Sequence, residues 1–317
     1  MNGSPRRLTI NGALVINKAR GLTSHDVVLR VRKLLRERSI GHLGTLDPIA
    51  TGVLPLLVGS ATRLQQFYTG RRKRYVGRIR FGFATDTYDA DGHALGDDTR
   101  PTITPEQLAP HVAALTGKLQ QTPPPFSAKK VGGVPAHERA RRREQFTLKP
   151  VEVEVYRYDI TEVEGSTARF EIECAAGTYI RSLAHELGLR VGCGAHLEEI
   201  CRTASGEFRL EQAMPLEQLE AVVKEDQLPQ VLIPMSELLP DLPQAVINAG
   251  LERKIRNGGR IEVSESQILP VRLEQPIDSD AWKPLRLRVL NQQKQLVAIA
   301  QAIVPRVFQP IVVLPAS

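Results

Sequence analysis

Four residues stand out as able to do chemistry without help: Asp47, Tyr75, Tyr179 and Arg181. Asp47 is the single acid in GHLGTLDPIATGVLPLLVGSATR (41–63), a segment otherwise made mostly of glycines and apolar residues. Tyr75 opens an alternating stretch, and Tyr179 and Arg181 lie in GTYIRSLAHELG (177–188). Each also has an ordinary reading. Asp47 before Pro48 suits a turn, the tyrosines suit an amphipathic core, and Arg181 suits a helix surface.

These four remain because the usual cofactor and metal signatures are missing. No Gly-x4-Gly-Lys-[Ser/Thr] occurs, so there is no phosphate-binding loop of that type. Gly192-Cys193-Gly194 starts like a dinucleotide fingerprint but lacks the third glycine. His185-Glu186 is followed at the second ligand position by Leu189, and Cys193 and His196 have no paired CxxC to complete a zinc site. TYDADGHALGDD (87–98) resembles a calcium loop through Asp89, Asp91 and Gly92, yet its first position is Thr87 and its twelfth Asp98. Ser127-x-x-Lys130 lacks the companion motifs of penicillin-binding enzymes. Neither metal nor cofactor is expected.

The elements that must carry these residues can be read in part. The chain has 317 residues, enough for one large domain and a small one. LVIN (14–17) reads as a strand. A helix follows Gly21, with Thr23 and Asp26 as a capping box and Val27, Val28, Val31, Leu34 and Leu35 on one face. Residues 75–83 alternate as a half-buried strand, Thr104, Pro105 and Gln107 begin a second helix, and 118–150 reads as an exposed loop followed by a basic helix. Residues 151–160 and 167–177 alternate as antiparallel neighbours, and a helix runs on from Tyr179. Beyond about residue 240 come short strands. The strand pairs predict an α+β fold on a mixed, mainly antiparallel sheet.

Charge is concentrated. The net charge is +7, but residues 1–80 hold 16 Lys and Arg against Asp26, Glu37 and Asp47, giving +13 there and −6 elsewhere. Such a field attracts a polyanion. Three cysteines form no disulfide framework. The opening residues have no signal-peptide character, and no later run is long enough to span a bilayer. A cytoplasmic protein with no membrane association is expected.

The sequence resembles the TruB-type tRNA pseudouridine synthases, which isomerise uridine 55 in the TΨC loop. The aspartate segment matches throughout, and KRY (73–75), TDTYDADG (85–92), PPPFSAKKVGG (123–133), HERAR (137–141), GTYIRSLAHELG and GCGAHLEEICRT (192–203) follow in family order. The likeness covers roughly residues 10–210. The C-terminal module looks like the family's small PUA-like RNA-binding domain. The resemblance implies a pseudouridine synthase domain over 1–238, with an RNA-binding insert at about 93–150, and a PUA-like domain over 239–317.

It also implies roles. Asp47 would be the catalytic nucleophile at ribose C1′ or uracil C6, Arg181 its ion-pair partner, and Tyr179 the candidate for proton transfer. Tyr75 would stack on the uracil, His42 would act in base flipping, and Ile200 would pack under the base. Lys18, Asp89 and Lys130 complete the expected substrate-binding set. The isomerisation needs no redox partner, and a carboxylate can split it through a covalent intermediate. The pocket must hold a base taken from its stack, at a cost that stacking and edge hydrogen bonds offset. The expected partner is the T-arm stem-loop of tRNA, and the expected state a monomer. The sequence departs from the family at Ala19, where proline is usual, and at Phe126 and His137, where tyrosine is usual. The competing readings are a non-catalytic RNA-binding or tRNA-folding protein and an RNA-guided sister synthase. The second is disfavoured because the 123–150 segment resembles the stand-alone form.

Overall fold

The computed structural model describes residues 10–264, 267–269 and 285–315. Arg6 and Arg7 of the basic quarter, and Pro284 of an expected strand, lie outside them. β1 (Gly12–Lys18) leads to α1 (Ser24–Leu35). The expected capping box forms: Asp26 N donates to Thr23 Oγ1 at 3.1 Å, and Thr23 N donates to Asp26 Oδ2 at 2.9 Å. The apolar stripe of α1 buries Val27, Val28, Val31 and Leu35.

TGVLPLLV, to which the sequence reading gave no element, forms β2 (Thr51–Val58), almost wholly buried. A continuous apolar run interrupted by proline has no alternation by which to recognise a strand. Pro55 is tolerated because its missing N–H falls in a gap. One flank of β2 pairs with β1 along its length. The other flank meets Cys201 and Arg202 only at Thr51 and Gly52, and resumes with Ile40–His42 at Leu56–Val58.

β3 (Lys73–Phe81) starts two residues earlier than expected, and Phe83 leaves it to pack on His196 with ring centroids 4.6 Å apart. α2 (Pro105–Ala114) carries its capping box, and β4 (Gly117–Gln121) draws part of the expected insert into the main sheet as an edge strand. The basic helix is short, α3 (Ala136–Arg141), and follows a small hairpin at 130–135. β5 (Val151–Glu164) and β6 (Thr167–Cys174) pair antiparallel as read. α4 (Ile180–Val191), β7 (Ala195–Ser205) and β8 (Ile233–Pro234) complete the layer. Strand order is β8–β1–β2–β7–β3–β6–β5–β4, antiparallel throughout except β2 with β7.

The C-terminal module is a six-stranded sheet in the order Ile261–Glu262, Val307–Val313, Leu296–Val304, Arg286–Leu290, Gln244–Val246, Ile268–Leu269. It shares an apolar cluster with the main domain, in which Val15, Leu57 and Phe208 meet Leu296, Ile299 and Val312. Arg71 and Asp241 pair at 2.7 Å across the same seam. Among the described residues no helix is long and apolar enough to cross a membrane.

Candidate active site

Asp47 sits on the loop between Ile40–His42 and β2, and that loop is anchored from beneath. Ser24, buried at the start of α1, donates its hydroxyl to Leu46 O at 3.1 Å and accepts from Leu46 N at 2.8 Å. Gly21 N donates to Pro48 O at 2.8 Å. Lys18, fully buried, donates Nζ to Leu22 O, Ala19 O and Pro48 O at 2.7, 3.0 and 3.4 Å. Arg202, also fully buried, spends its guanidinium on three carbonyls: Val53 at 2.8 Å, Gly44 at 3.0 Å and Thr45 at 3.2 Å. Its arm fills the gap beside β2 where the ladder is missing. Gly52 lets this happen, since its φ is +95° and a Cβ there would stand 2.3 Å from Arg202 O.

The loop presents Asp47 to Arg181 on the first turn of α4. Arg181 Nε lies 2.9 Å from Asp47 Oδ2, and its Nη1 lies 3.4 Å from Asp89 Oδ2. Arg181 also donates to Thr87 O and Phe126 O, both at 3.0 Å. The side chains of Arg181 and Asp89 are 6% and 8% exposed, whereas that of Asp47 is 42% exposed and faces the opening. Asp89 is raised above the usual carboxylate range by burial, against a 2.6 Å hydrogen bond from Thr87 and the charge of Arg181. Tyr179, the residue before α4, is gripped by Gln121. Tyr179 N donates to Gln121 Oε1 at 2.8 Å, and Gln121 Nε2 donates back to Tyr179 O at 3.0 Å. Burial raises the phenol of Tyr179, with a further push from Asp47.

Asp47, Phe126, Tyr179 and Arg181 line a cavity of about 630 Å³. Tyr75 on β3, opposite Arg202, and Ile200 on β7, opposite Gly77, form part of its wall, together with His42. Burial first, and then the charge of Arg202, hold His42 below the ordinary imidazole range. Gly44 N donates to its Nδ1 at 3.3 Å, which makes Nδ1 the acceptor of a neutral ring.

The family comparisons fit this geometry. The profile for the N-terminal domain of the TruB family pseudouridylate synthases matches residues 32–180, and that for the tRNA pseudouridylate synthase B C-terminal domain matches residues 181–240. A tRNA pseudouridine synthase B of Solibacter usitatus is 43% identical over 96% of this chain and all of its own. The chain belongs to the TruB family of pseudouridylate synthases. A tRNA pseudouridine synthase B of Bacillus cereus is 34% identical, with 90% of this chain and all of that one covered. Among solved structures, a chain of a Cbf5-Nop10-Gar1 complex is 26% identical with a TM-score of 0.67, covering 93% of this chain and 79% of that one. A chain of an H/ACA RNP bound to a substrate RNA containing 2'-deoxyuridine shares the fold, with a TM-score of 0.70 at 24% identity and coverage of 96% and 85%.

In this synthase the fold brings together Asp47, Tyr75, Tyr179, Arg181, His42 and Ile200 around one cavity. Three expected substrate contacts are placed elsewhere. Lys18 lies under the loop that carries Asp47 with no exposed surface, because three carbonyls claim its ammonium. Asp89 is buried behind Arg181. Lys130 is exposed on the hairpin and does not line the cavity. The basic quarter is also less free than its composition implies. Arg72 and Arg74 pair with Glu173, Arg78 with Glu198 and Glu199, and Arg80 with Asp98. Arg202, Gln121 and Ser24 were not singled out from sequence as site residues. Arg202 lies in a matched motif, but nothing local marks it as buried under the loop.

Proposed function

We propose that this synthase isomerises uridine 55 in the TΨC loop of tRNA, acting as a cytoplasmic monomer on a flipped base. The observation that carries the reading is the pairing of a solvent-facing Asp47 with a buried Arg181 beside Tyr75 and Tyr179. Asp47 attacks ribose C1′ or uracil C6. The N1–C1′ bond breaks, C5 bonds to C1′, the bond to Asp47 breaks to return its carboxylate, the C5 proton leaves and N1 gains a proton. Tyr75 offers a face for the uracil, and stacking contributes about 1–3 kcal/mol toward the cost of extrusion. Tyr179, within reach of Asp47's field and raised in pKa, stays protonated at neutral pH and can donate or relay that proton. Lys18 and Asp89 act by positioning, Lys18 through the loop and Asp89 through Arg181. The hairpin with Lys130 and helix α3 cover the T-arm.

The test is a T-arm stem-loop tritiated at uracil C5. Wild type should release tritium, whereas Asp47→Asn should bind the RNA and release none. Binding by wild type without release would leave only an RNA-binding protein.

A further inference from the structure

β3 begins in a basic run, and all five arginines on this strand and its approach have carboxylate partners: Arg71 with Asp241, Arg72 and Arg74 with Glu173, Arg78 with Glu198 and Glu199, and Arg80 with Asp98. Lys73 is the exception. Among the described residues its ammonium makes no ion pair or hydrogen bond, and it lines the catalytic cavity. Room is left for it. Gly44 has φ +131°, and a Cβ there would lie 2.8 Å from Lys73 Nζ. Burial first, and then the charge of Arg202, lower the lysine, while the guanidinium of Arg202 is itself taken up by carbonyls. The result is an unsatisfied cation inside a site that accepts a polyanion.

Its place on β3 indicates which part of the substrate it meets. Lys73 and Tyr75 are two residues apart on one strand and project from the same face, about 6.6 Å apart along it. That separation suits the span from a pyrimidine ring to a phosphate flanking its own ribose. Resting on the proposed function, we propose that Lys73 is the seat of a backbone phosphate beside the flipped uridine, holding it while the uracil stacks on Tyr75. A lysine suits this seat because a compact ammonium on a flexible stem can follow a phosphate that moves as the base swings out.

The experiment uses the full-length protein with T-arm stem-loops carrying a neutral methylphosphonate at the linkage 5′ or 3′ of the target uridine. Wild type, Lys73→Met and Lys73→Gln are compared by affinity over a salt series and by tritium release, with thermal unfolding as the check on folding. Neutralising one of the two linkages should weaken wild-type binding about tenfold, the worth of a charge-assisted hydrogen bond. Each variant should lose about the same on native RNA, mainly as a raised KM. Its salt slope should be shallower by about 0.7. The two losses should not add when variant and methylphosphonate are combined. Additive losses, or variants with wild-type affinity and slope, would overturn the assignment. If neither variant folds, unchanged wild-type binding to both methylphosphonates overturns it instead, and weakened binding with a shallower slope supports it. Wild type that binds native T-arm and releases no tritium refutes the proposed function, a result distinct from any of these.

Discussion

Arg202→Met is the most informative perturbation of the site, because Arg202 does not itself line the cavity and yet fixes the loop that carries Asp47. Its guanidinium satisfies three carbonyls, two of them at Gly44 and Thr45, and is fully buried. Methionine fills much of the same volume but leaves those acceptors without donors. A buried acceptor left unpaired costs about 1–3 kcal/mol. Three of them would cost about 3–9 kcal/mol, and release of the desolvated charge brings the net toward the lower end, about 3 kcal/mol. For a chain of 317 residues, with an unfolding entropy of about 2.1 cal/mol/K per residue, that corresponds to a fall in Tm of about 4–5 °C. The loop should also lose its register against Arg181, and a misplacement of about 1 Å can cost about 100-fold in rate. The assays are thermal unfolding and single-turnover tritium release under saturating enzyme. Arg202→Lys should lie closer to Arg202→Met than to wild type, since one ammonium cannot replace a fork on three acceptors. A methionine variant with wild-type Tm and rate would refute the idea that carbonyl anchoring positions Asp47.

Arg181→Lys should lower the single-turnover rate by about 100-fold or more with little change in RNA affinity, because one ammonium cannot serve Asp47, Asp89, Thr87 O and Phe126 O together; a near-wild-type rate would show that the charge alone suffices. Tyr75→Leu should reduce kcat/KM by about 5- to 150-fold, the value of one stacked base, and a smaller loss would place the uracil elsewhere. Burial depresses Lys18 from 10.5 to about 8. Between those values the unfolded chain binds more protons than the folded one, so Lys18's contribution to stability rises with pH across that window, by at most about 3 kcal/mol. Unfolding measured against pH should therefore show wild type gaining on Lys18→Met from about pH 8 upward; a constant difference would mean that Lys18 is not desolvated.

The elements with periodic patterns were legible in the sequence. The capping boxes at Thr23 and Thr104, the stripe of α1 and the alternation of β5 and β6 each follow from local chemistry, and each appears in the structure. β2 was not legible, since a buried strand with Pro55 at its centre has neither alternation nor a turn signal. The residues that surround the cavity came from motif resemblance rather than periodicity. Their supporting layer is set by contacts between distant parts of the chain. Ser24, Gln121 and Arg202 act on backbone groups 22, 58 and up to 158 residues away in sequence, and a side chain that hydrogen-bonds a distant carbonyl leaves no trace in local pattern. Charge misled for a related reason. A count of arginines does not show that Glu173, Glu198 and Glu199 arrive on neighbouring strands to pair with them.

The pairing of one arginine with two carboxylates has a consequence for the proposed reaction. When Asp47 bonds to a substrate carbon it becomes an ester and loses its negative charge. An arginine with 6% of its side chain exposed would then be stranded without a counter-charge if Asp47 were its sole partner. Asp89 prevents this, as its Oδ2 stays 3.4 Å from the guanidinium and its carboxylate is held by Thr87 and by the Asp91 amide. The two carbonyls at Thr87 and Phe126 keep the guanidinium in place through the same change. Of the groups around Arg181, the half-exposed Asp47 is thus the one free to leave, and the buried ones hold the arginine ready for its return.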